Sequence, residues 1–239
     1  MYRLVLETLQ NPDDFIVLTD QQKHYLKRVL RLKDGDNFVG MDGQGKVYLA
    51  QFINESAQII KPLKESTELP IPVTLIVALP KGNGFEDIVR CCTELGVNTL
   101  IPVISQRTIL KPSLQKVERW RKIAIEAAEQ SERQIVPIIL EPVSLAQSLK
   151  NVADNDINCY ICITRQKTNH LLTYLSTPQT VPLIIATGCE GGWTDEEVSD
   201  AIAVGFQPVT LGPRILRAVT APIVALSLIS SAIEYNCAT

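Results

Sequence analysis

The stretch ATGCEGGWTDEEV, residues 186–198, decides how the chain is read. Before it runs VPLIIATG (residues 181–188), apolar and β-branched, the pattern of a strand covered on both faces. After it, Thr194 with Glu197 three residues on makes a capping box, and Asp195 and Glu196 suit a helix N-terminus. Residues 188–193 are therefore a strand-to-helix turn, at the edge where open α/β sheets bind ligands. In it one acid, Glu190, stands among Gly188, Gly191 and Gly192. Such glycines either let the backbone approach a ligand or only turn the chain. The turn alone does not choose.

The surrounding sequence alternates strands and helices. VTLIVALP (73–80), NTLIPVIS (98–105), NCYICIT (158–164) and QPVTLG (207–212) read as further strands. GFEDIVRCCTELGV (84–97) reads as a helix with Phe85, Ile88, Val89, Cys92 and Leu95 on one face and Gly96 as its C-cap. LQKVERWRKIAIEAAEQSER (114–133) is a second, longer helix. A last helix, from about residue 215 to 235, is apolar nearly all round, which places it in a core or a subunit interface. This alternation predicts an α/β fold with a mainly parallel sheet. The first 66 residues or so have a different grammar, with short extended runs around Asp42-Gly43-Gln44-Gly45, a hairpin signal, and one basic helical segment. A small β-barrel fits them. The Pro-bearing KESTELPIPV (64–73) serves as linker, giving domains at 1–68 and 72–239.

With 46% hydrophobic and 21% charged residues the composition is globular. No apolar run has the length of a membrane span, and the start MYRLVLETLQ lacks signal-peptide form, so a cytoplasmic protein without membrane contact is expected. The six cysteines read as buried free thiols: Cys91 and Cys92 adjoin on a helix, Cys159 and Cys162 sit in a strand-like run, and Cys189 and Cys237 are isolated. With only His24 and His170 besides, no metal site is expected. A net charge of −3 gives no global sign of nucleic-acid binding. KHYLKRVLRLK (23–33) nevertheless carries Lys23, Lys27, Arg28, Arg31 and Lys33, either a solvated helix face or a phosphate footprint.

PKGNG (80–84) lacks the spacing and the Lys-Ser/Thr ending of a nucleotide P-loop, although Lys81 could meet an anion. No GxGxxG appears, and no histidine lies near a nucleophile elbow. What remains is the turn at 188–192 and a second one, LGPRILRAVTAP (211–222), carrying Arg214 and Arg217. Two glycine-bearing turns after strands, with one acid and two arginines, suit a compact polar cofactor that physics alone does not name.

Five blocks in order resemble the RsmE-type methyltransferases of the SPOUT class, which modify uridine N3 in 16S ribosomal RNA. HYLKRVLRLKDGD resembles the family's His, Val-Leu-Arg and Gly-Asp signature; LPKGNGFEDIVRCCTELGVNTLIPVISQRT resembles its Lys turn and Thr-Glu-Leu-Gly-Val block, ending at Ser105 and Arg107. RWRKIAIEAAEQSERQIVP resembles its Glu-Ala-x-x-Gln-x-x-Arg helix, here Glu126, Ala127, Gln130 and Arg133. GCEGGWTDEEV and LGPRILRAVTA look like its two cofactor motifs.

The resemblance implies an N-terminal PUA-like barrel that holds RNA and a C-terminal SPOUT domain with a trefoil knot. It implies S-adenosyl-L-methionine as cofactor, the small ribosomal subunit as partner, and a homodimer. Gly188, Glu190, Gly191, Gly192, Leu211, Gly212, Ile215, Leu216 and Arg217 would then bind the cofactor, with close backbone approach as the reason for the turn glycines. Lys23, Lys27, Arg28, Arg31, Lys81, Arg107 and Arg133 would bind RNA. Arg217 is the first catalytic candidate, with Arg107 and Arg133 behind it, and Glu190 or solvent as the base. The chain departs from the family at Cys189, where Pro is usual, and at Ala218-Val219, where Thr-Glu is usual. The missing carboxylate keeps open an alternative, an RNA-binding or ribosome-assembly protein that retains the fold and has lost transfer.

Overall fold

Two periodicities in the chain build two sheets. The computed structural model describes residues 1–6, 15–64, 66–150 and 156–238, and it divides into two compact units, residues 1–68 with 125–136 and residues 69–124 with 137–239.

The first unit holds β1 (Arg3–Val5), β2 (Phe15–Val17), β3 (Asn37–Met41), β4 (Val47–Ile53) and β5 (Ser56–Leu63) in the order β1-β3-β4-β5-β2. Only β1 and β3 pair in parallel; the rest are antiparallel. The hairpin between β3 and β4 closes as expected. Asp42 Oδ1 accepts from the N–H groups of Gln44 (2.7 Å) and Lys46 (2.9 Å), while Gly43 and Gly45 take positive φ of 70° and 110°. Inside lie Leu26, Phe38, Phe52 and Ile59, all fully buried.

The basic segment departs from the expected helix through Arg31. Thr19 and Gln22 form a capping box on α1 (Asp20–His24), and the chain then widens into a π-helical turn over Tyr25–Val29. There Leu30 N–H donates to the Tyr25 carbonyl and Leu32 N–H to that of Leu26, each at 2.9 Å. The wider turn lets Tyr25, Leu26, Leu30 and Leu32 all meet the core, and it ends with Arg31 at φ 58°, outside any helix.

The second unit comprises β6 (Val73–Ala78), α2 (Gly84–Glu94), β7 (Thr99–Ile104), α3 (Leu114–Gln130), β8 (Ile138–Ile139), β9 (Val143–Ser144), α4 (Leu145–Lys150), β10 (Asn158–Cys162), α5 (Leu171–Leu175), β11 (Leu183–Thr187), α6 (Asp195–Ala203), β12 (Gln207–Val209) and α7 (Thr220–Ala238). Its sheet runs β12-β10-β11-β6-β7-β8, with β9 also on β7, and every pair is parallel. β11 is buried at all five positions, as its unbroken apolar run requires. On α2, Phe85, Ile88, Val89 and Cys92 are buried, and Phe85 meets Trp120 with ring centroids 4.4 Å apart. Gly96 takes φ 91°, and an added Cβ would stand 2.9 Å from Leu69, so glycine is required there twice over. α7 starts at Thr220 rather than near 215, because the Arg217 carbonyl accepts from the N–H groups of Thr220 (2.9 Å) and Ala221 (3.0 Å) and so opens the helix.

Residues 125–136, which the sequence assigns to the second domain, pack with the first unit. Ala128 is buried against Val39, Met41 and Val47. Glu129 Oε1 accepts from Val5 N–H at 2.7 Å, and Val136 N–H donates to the Gly43 carbonyl at 2.9 Å. A helix that serves both units reads as one element in sequence, so the boundary within it leaves no mark there.

Cys91, Cys92, Cys159, Cys162 and Cys189 carry free thiols, and burial pushes the Cys159 thiol up to about 11. The side chain of Cys237 lies outside the described residues. Among those residues no helix is long and apolar enough to cross a membrane.

Candidate cofactor site

Because β10 lies between β11 and β12, three neighbouring strands end side by side and their loops converge. A cavity of about 440 Å³ opens there, lined by residues 162–166, 188–193, 210–212 and 214–216 together with Arg107, Asp195, Val198, Ala218 and Ala221. That is the size of an ordinary small-molecule site.

The turn at 188–193 is held from several sides. Its glycines serve three different ends. A Cβ on Gly188 would stand 3.1 Å from Gly192 Cα and 3.3 Å from Trp193 N, so the turn folds against its own backbone. Gly192 takes φ 67° with open space around it. A Cβ on Gly191 would stand 3.0 Å from Cβ and Cδ of Arg107. Gly188 and Gly191 are thus closely approached by this chain's own atoms, whereas the expected approach was that of a cofactor.

Arg107 is the clamp. Its Nη1 donates to the carbonyls of Gly191 (2.6 Å) and Trp193 (3.1 Å). Expected as an RNA contact, it lines the cavity and spends its guanidinium on the turn. Beside it, Gln106 N–H donates to Glu197 Oε1 at 2.8 Å, and Glu197 Oε2 accepts from Thr194 N–H at 2.9 Å. The capping-box acid therefore also ties the loop after β7 to the start of α6. Cys189 is buried, its Sγ 3.8 Å from Ser105 Oγ.

Glu190 lines the cavity and is exposed, and its Oε1 accepts from Lys81 N–H at 3.0 Å. Lys81 thus meets the turn through its backbone. In the second turn, Leu211, Gly212, Ile215 and Leu216 line the cavity, with Gly212 at φ 116°. Arg217 does not line it, although Leu216 and Ala218 on either side do. Its side chain is exposed, without a partner among the described residues, while its carbonyl caps α7. Where the family's acid would stand, Val219 Cγ2 lies 2.7 Å from the place of a Gly84 Cβ, so Val219 and Gly84 approach too closely for a side chain at 84.

The remaining expected RNA contacts lie in the first unit and fare unequally. Lys27 Nζ is 2.5 Å from Glu55 Oε1, and Lys23 Nζ reaches Glu55 at 4.0 Å and Asp20 at 3.6 Å. Arg28 and Arg31 are exposed, with no partner among the described residues. Because Arg31 has left the helix, it does not share a helical face with Lys27. Arg133 is a correction: only 3% exposed, it donates from Nε (3.1 Å) and Nη2 (2.5 Å) to Glu68 Oε2. Glu68 Oε1 in turn accepts from the N–H groups of Gln134 (2.8 Å) and Ile135 (3.0 Å). A cation buried and paired in this way is structural, because removing it from its carboxylate would strand a charge.

Three residues that shape the site carry no recognisable sequence signal: Gln106, Glu197 as a bridge, and Arg165, a lone arginine in the loop after β10.

Among known proteins, the family of RNA methyltransferase domains matches residues 67–230, and that of RNA methyltransferase PUA domains residues 18–61. Ribosomal RNA small subunit methyltransferase E of Synechocystis sp. is 49% identical over 98% of this chain and 78% of that protein. The chain belongs to this methyltransferase family. Its Bacillus subtilis member is 34% identical over 89% of this chain and 88% of its own length. Among solved structures, the Neisseria gonorrhoeae methyltransferase E bound to S-adenosyl methionine superposes with a TM-score of 0.89, 30% identical, covering 97% of both chains. The fold is thus the family's α/β architecture, PUA-like strands followed by a mainly parallel sheet.

The cavity fits the cofactor held by that relative. Its walls combine backbone of two glycine turns and apolar side chains, as an adenosine needs, with the carboxylates Glu190 and Asp195, which match a ligand bearing a sulfonium and an ammonium.

Proposed function

We propose that this chain transfers the methyl group of S-adenosyl-L-methionine to N3 of a uridine in the 16S RNA of the small ribosomal subunit. One observation carries the reading: the braced cavity at 188–193 and 210–216, in a chain whose relatives are named small-subunit RNA methyltransferases. When bound there, the cofactor supplies an electrophilic methyl group on a positively charged sulfur. Gly188, Gly191, Gly192, Leu211, Gly212, Ile215 and Leu216 would hold it, with Glu190 and Asp195 as counter-charges.

Uridine N3 carries a proton at neutral pH, so it becomes a nucleophile only as that proton leaves. In this reading Glu190 keeps Oε1 on the Lys81 N–H and offers Oε2 as acceptor. Positive charge near the developing anion has to contribute as well, because it stabilises the base as its proton leaves. Arg217 takes that role: its side chain is exposed and without a partner among the described residues, and it stands in sequence between Leu216 and Ala218 of the lining. The base must be unpaired and turned out of any helix to enter.

The first unit then docks RNA through Arg28 and Arg31, with Lys23 and Lys27 secondary, and residues 72–239 carry the chemistry. α7 leaves Ile223, Val224 and Leu228 half-buried, a face suited to a second copy. A knotted C-terminal path and a cytoplasmic location belong to the same reading.

The test is transfer of labelled methyl from S-adenosylmethionine to purified small subunits and to their naked RNA. Arg217→Ala should lower turnover on the order of a hundredfold while cofactor affinity stays within about twofold. Equal losses in both would make Arg217 a cofactor-holding residue. The second reading, an assembly protein without transfer, is favoured by the missing carboxylate at Ala218-Val219. RNA binding without label uptake would establish it.

A further inference from the structure

We propose that Arg165 and Arg214 form a phosphate site at the mouth of the cavity, gripping the backbone of a single RNA strand beside the nucleotide whose base enters. The inference rests on the proposed function and deepens it, by naming how the substrate strand is held at the site of chemistry.

Both arginines line the cavity, both are exposed, and neither has a hydrogen bond or ion pair among the described residues. Of the other charged groups of the lining, two already have partners within the chain. Arg107 holds two carbonyls, and Glu190 holds the Lys81 N–H. Asp195 stands in the first turn of α6, where the helix N-terminus favours a negative charge. Two guanidiniums are left over at the mouth.

Their places are built into the fold. The loop carrying Arg165 is laced to β12 and its exit. Ile163 N–H donates to the Val209 carbonyl (2.9 Å), Thr168 Oγ1 to that of Pro208 (2.6 Å), and Thr210 N–H to that of Asn169 (3.0 Å). Thr210 Oγ1 then accepts from Gly212 N–H at 3.2 Å, joining this loop to the turn that carries Arg214. Arg165 itself takes φ 63°, a left-handed conformation that strains a non-glycine residue and persists where the surroundings fix it. Gly212, at φ 116°, leaves room for the other arginine: a Cβ there would stand 4.0 Å from Arg214 Nη2.

The chemistry of the occupant follows from connectivity. A base that enters the cavity leaves its sugar and phosphates at the mouth, because they are bonded to it. Phosphate oxygens match the planar fork of a guanidinium, which can donate two parallel hydrogen bonds. A carboxylate of the bound cofactor would match the same fork, so the experiment has to separate the two sources.

The test compares wild type with the double variant Arg165→Asn, Arg214→Ala, asparagine being chosen because it tolerates the left-handed backbone. Binding to purified 16S RNA is measured against salt with S-adenosylhomocysteine present, and S-adenosylhomocysteine binding to the free protein by calorimetry. Leaving two phosphates of a single strand without their arginines should flatten the plot of log affinity against log salt by about 1.4, with cofactor-product affinity unchanged within about twofold. Arg→Lys at both positions should restore most of the slope. An unchanged slope overturns the proposal, and so does a parallel loss of S-adenosylhomocysteine affinity, which would assign the pair to the cofactor. If wild type transfers no methyl group, the proposed function fails, while the salt slope still decides this inference.

Discussion

The basic run at 23–33 and the glycine turn at 188–193 look equally pointed in sequence, yet their residues are committed in opposite ways. In the basic run, four of the cations share a short stretch, but Glu55, from the turn between β4 and β5, takes up Lys27 and partly Lys23. Arg28 and Arg31 alone of those four keep their charge free among the described residues. In the glycine turn almost nothing is free. Gly188 folds against the turn's own backbone, Gly191, Glu190 and Trp193 each meet another part of the second unit, and what stays open is the cavity they enclose. A charge run advertises function yet is easily neutralised from a distance. A run of glycines looks permissive yet is here over-determined.

The difference can be broken most sharply at Gly188. Gly188→Val would drive a branched side chain into the Gly192 backbone, which cannot move aside as a flexible side chain could. S-adenosylhomocysteine binding by calorimetry should fall by at least about a hundredfold, on the scale of a steric clash of a few kcal/mol. Retained binding would mean that the turn does not shape the site. Arg107→Ala comes next. Losing its bonds to Gly191 and Trp193 should weaken the same binding by about tenfold, near 1.4 kcal/mol, with RNA affinity little changed. A loss confined to RNA affinity would return Arg107 to the role its sequence suggests.

In the first unit the comparison predicts unequal halves of one motif. Arg28→Ala with Arg31→Ala should flatten the salt dependence of small-subunit binding by about 1 to 2 units, and Lys23→Ala with Lys27→Ala by well under about 1. Equal effects would show that Glu55 releases its lysines when RNA arrives. The smallest effect concerns pH. Burial, reinforced by Glu126 and opposed by the Val5 N–H, pushes the Glu129 carboxyl up to about 7 from 4.5. The folded state therefore prefers the protonated acid. The associated stability is full below about 4.5 and is lost as pH rises through about 7. Urea midpoints should fall across that window, and Glu129→Gln should flatten the fall.

Much of the second unit was legible because its signals are local. The period of α2, the apolar run of β11, and the Thr194–Glu197 box each lie within a dozen residues, and each formed as read. The hairpin at Asp42–Gly45 was legible for the same reason. What the sequence hid was pairing at a distance. Arg133 meets Glu68 from 65 residues away, Arg107 meets Gly191 from 84, and no periodicity links them. The π-helical turn was hidden too, since Leu26 and Leu30, four apart, fit an ordinary helix face and nothing local shows that the core takes Leu32 as well. Arg217 was placed among the cofactor contacts by its motif, whereas its neighbours face the cavity and its carbonyl starts α7.

The measurement that tests the account most directly is nucleoside analysis of small-subunit RNA after incubation with the wild-type protein and labelled S-adenosylmethionine. The account predicts label in N3-methyluridine alone, at one position, and little or none with Gly188→Val. Label in another nucleoside, or on the sugar, would contradict the assigned chemistry. No label at all, with RNA still bound, would leave the cavity without the transfer assigned to it.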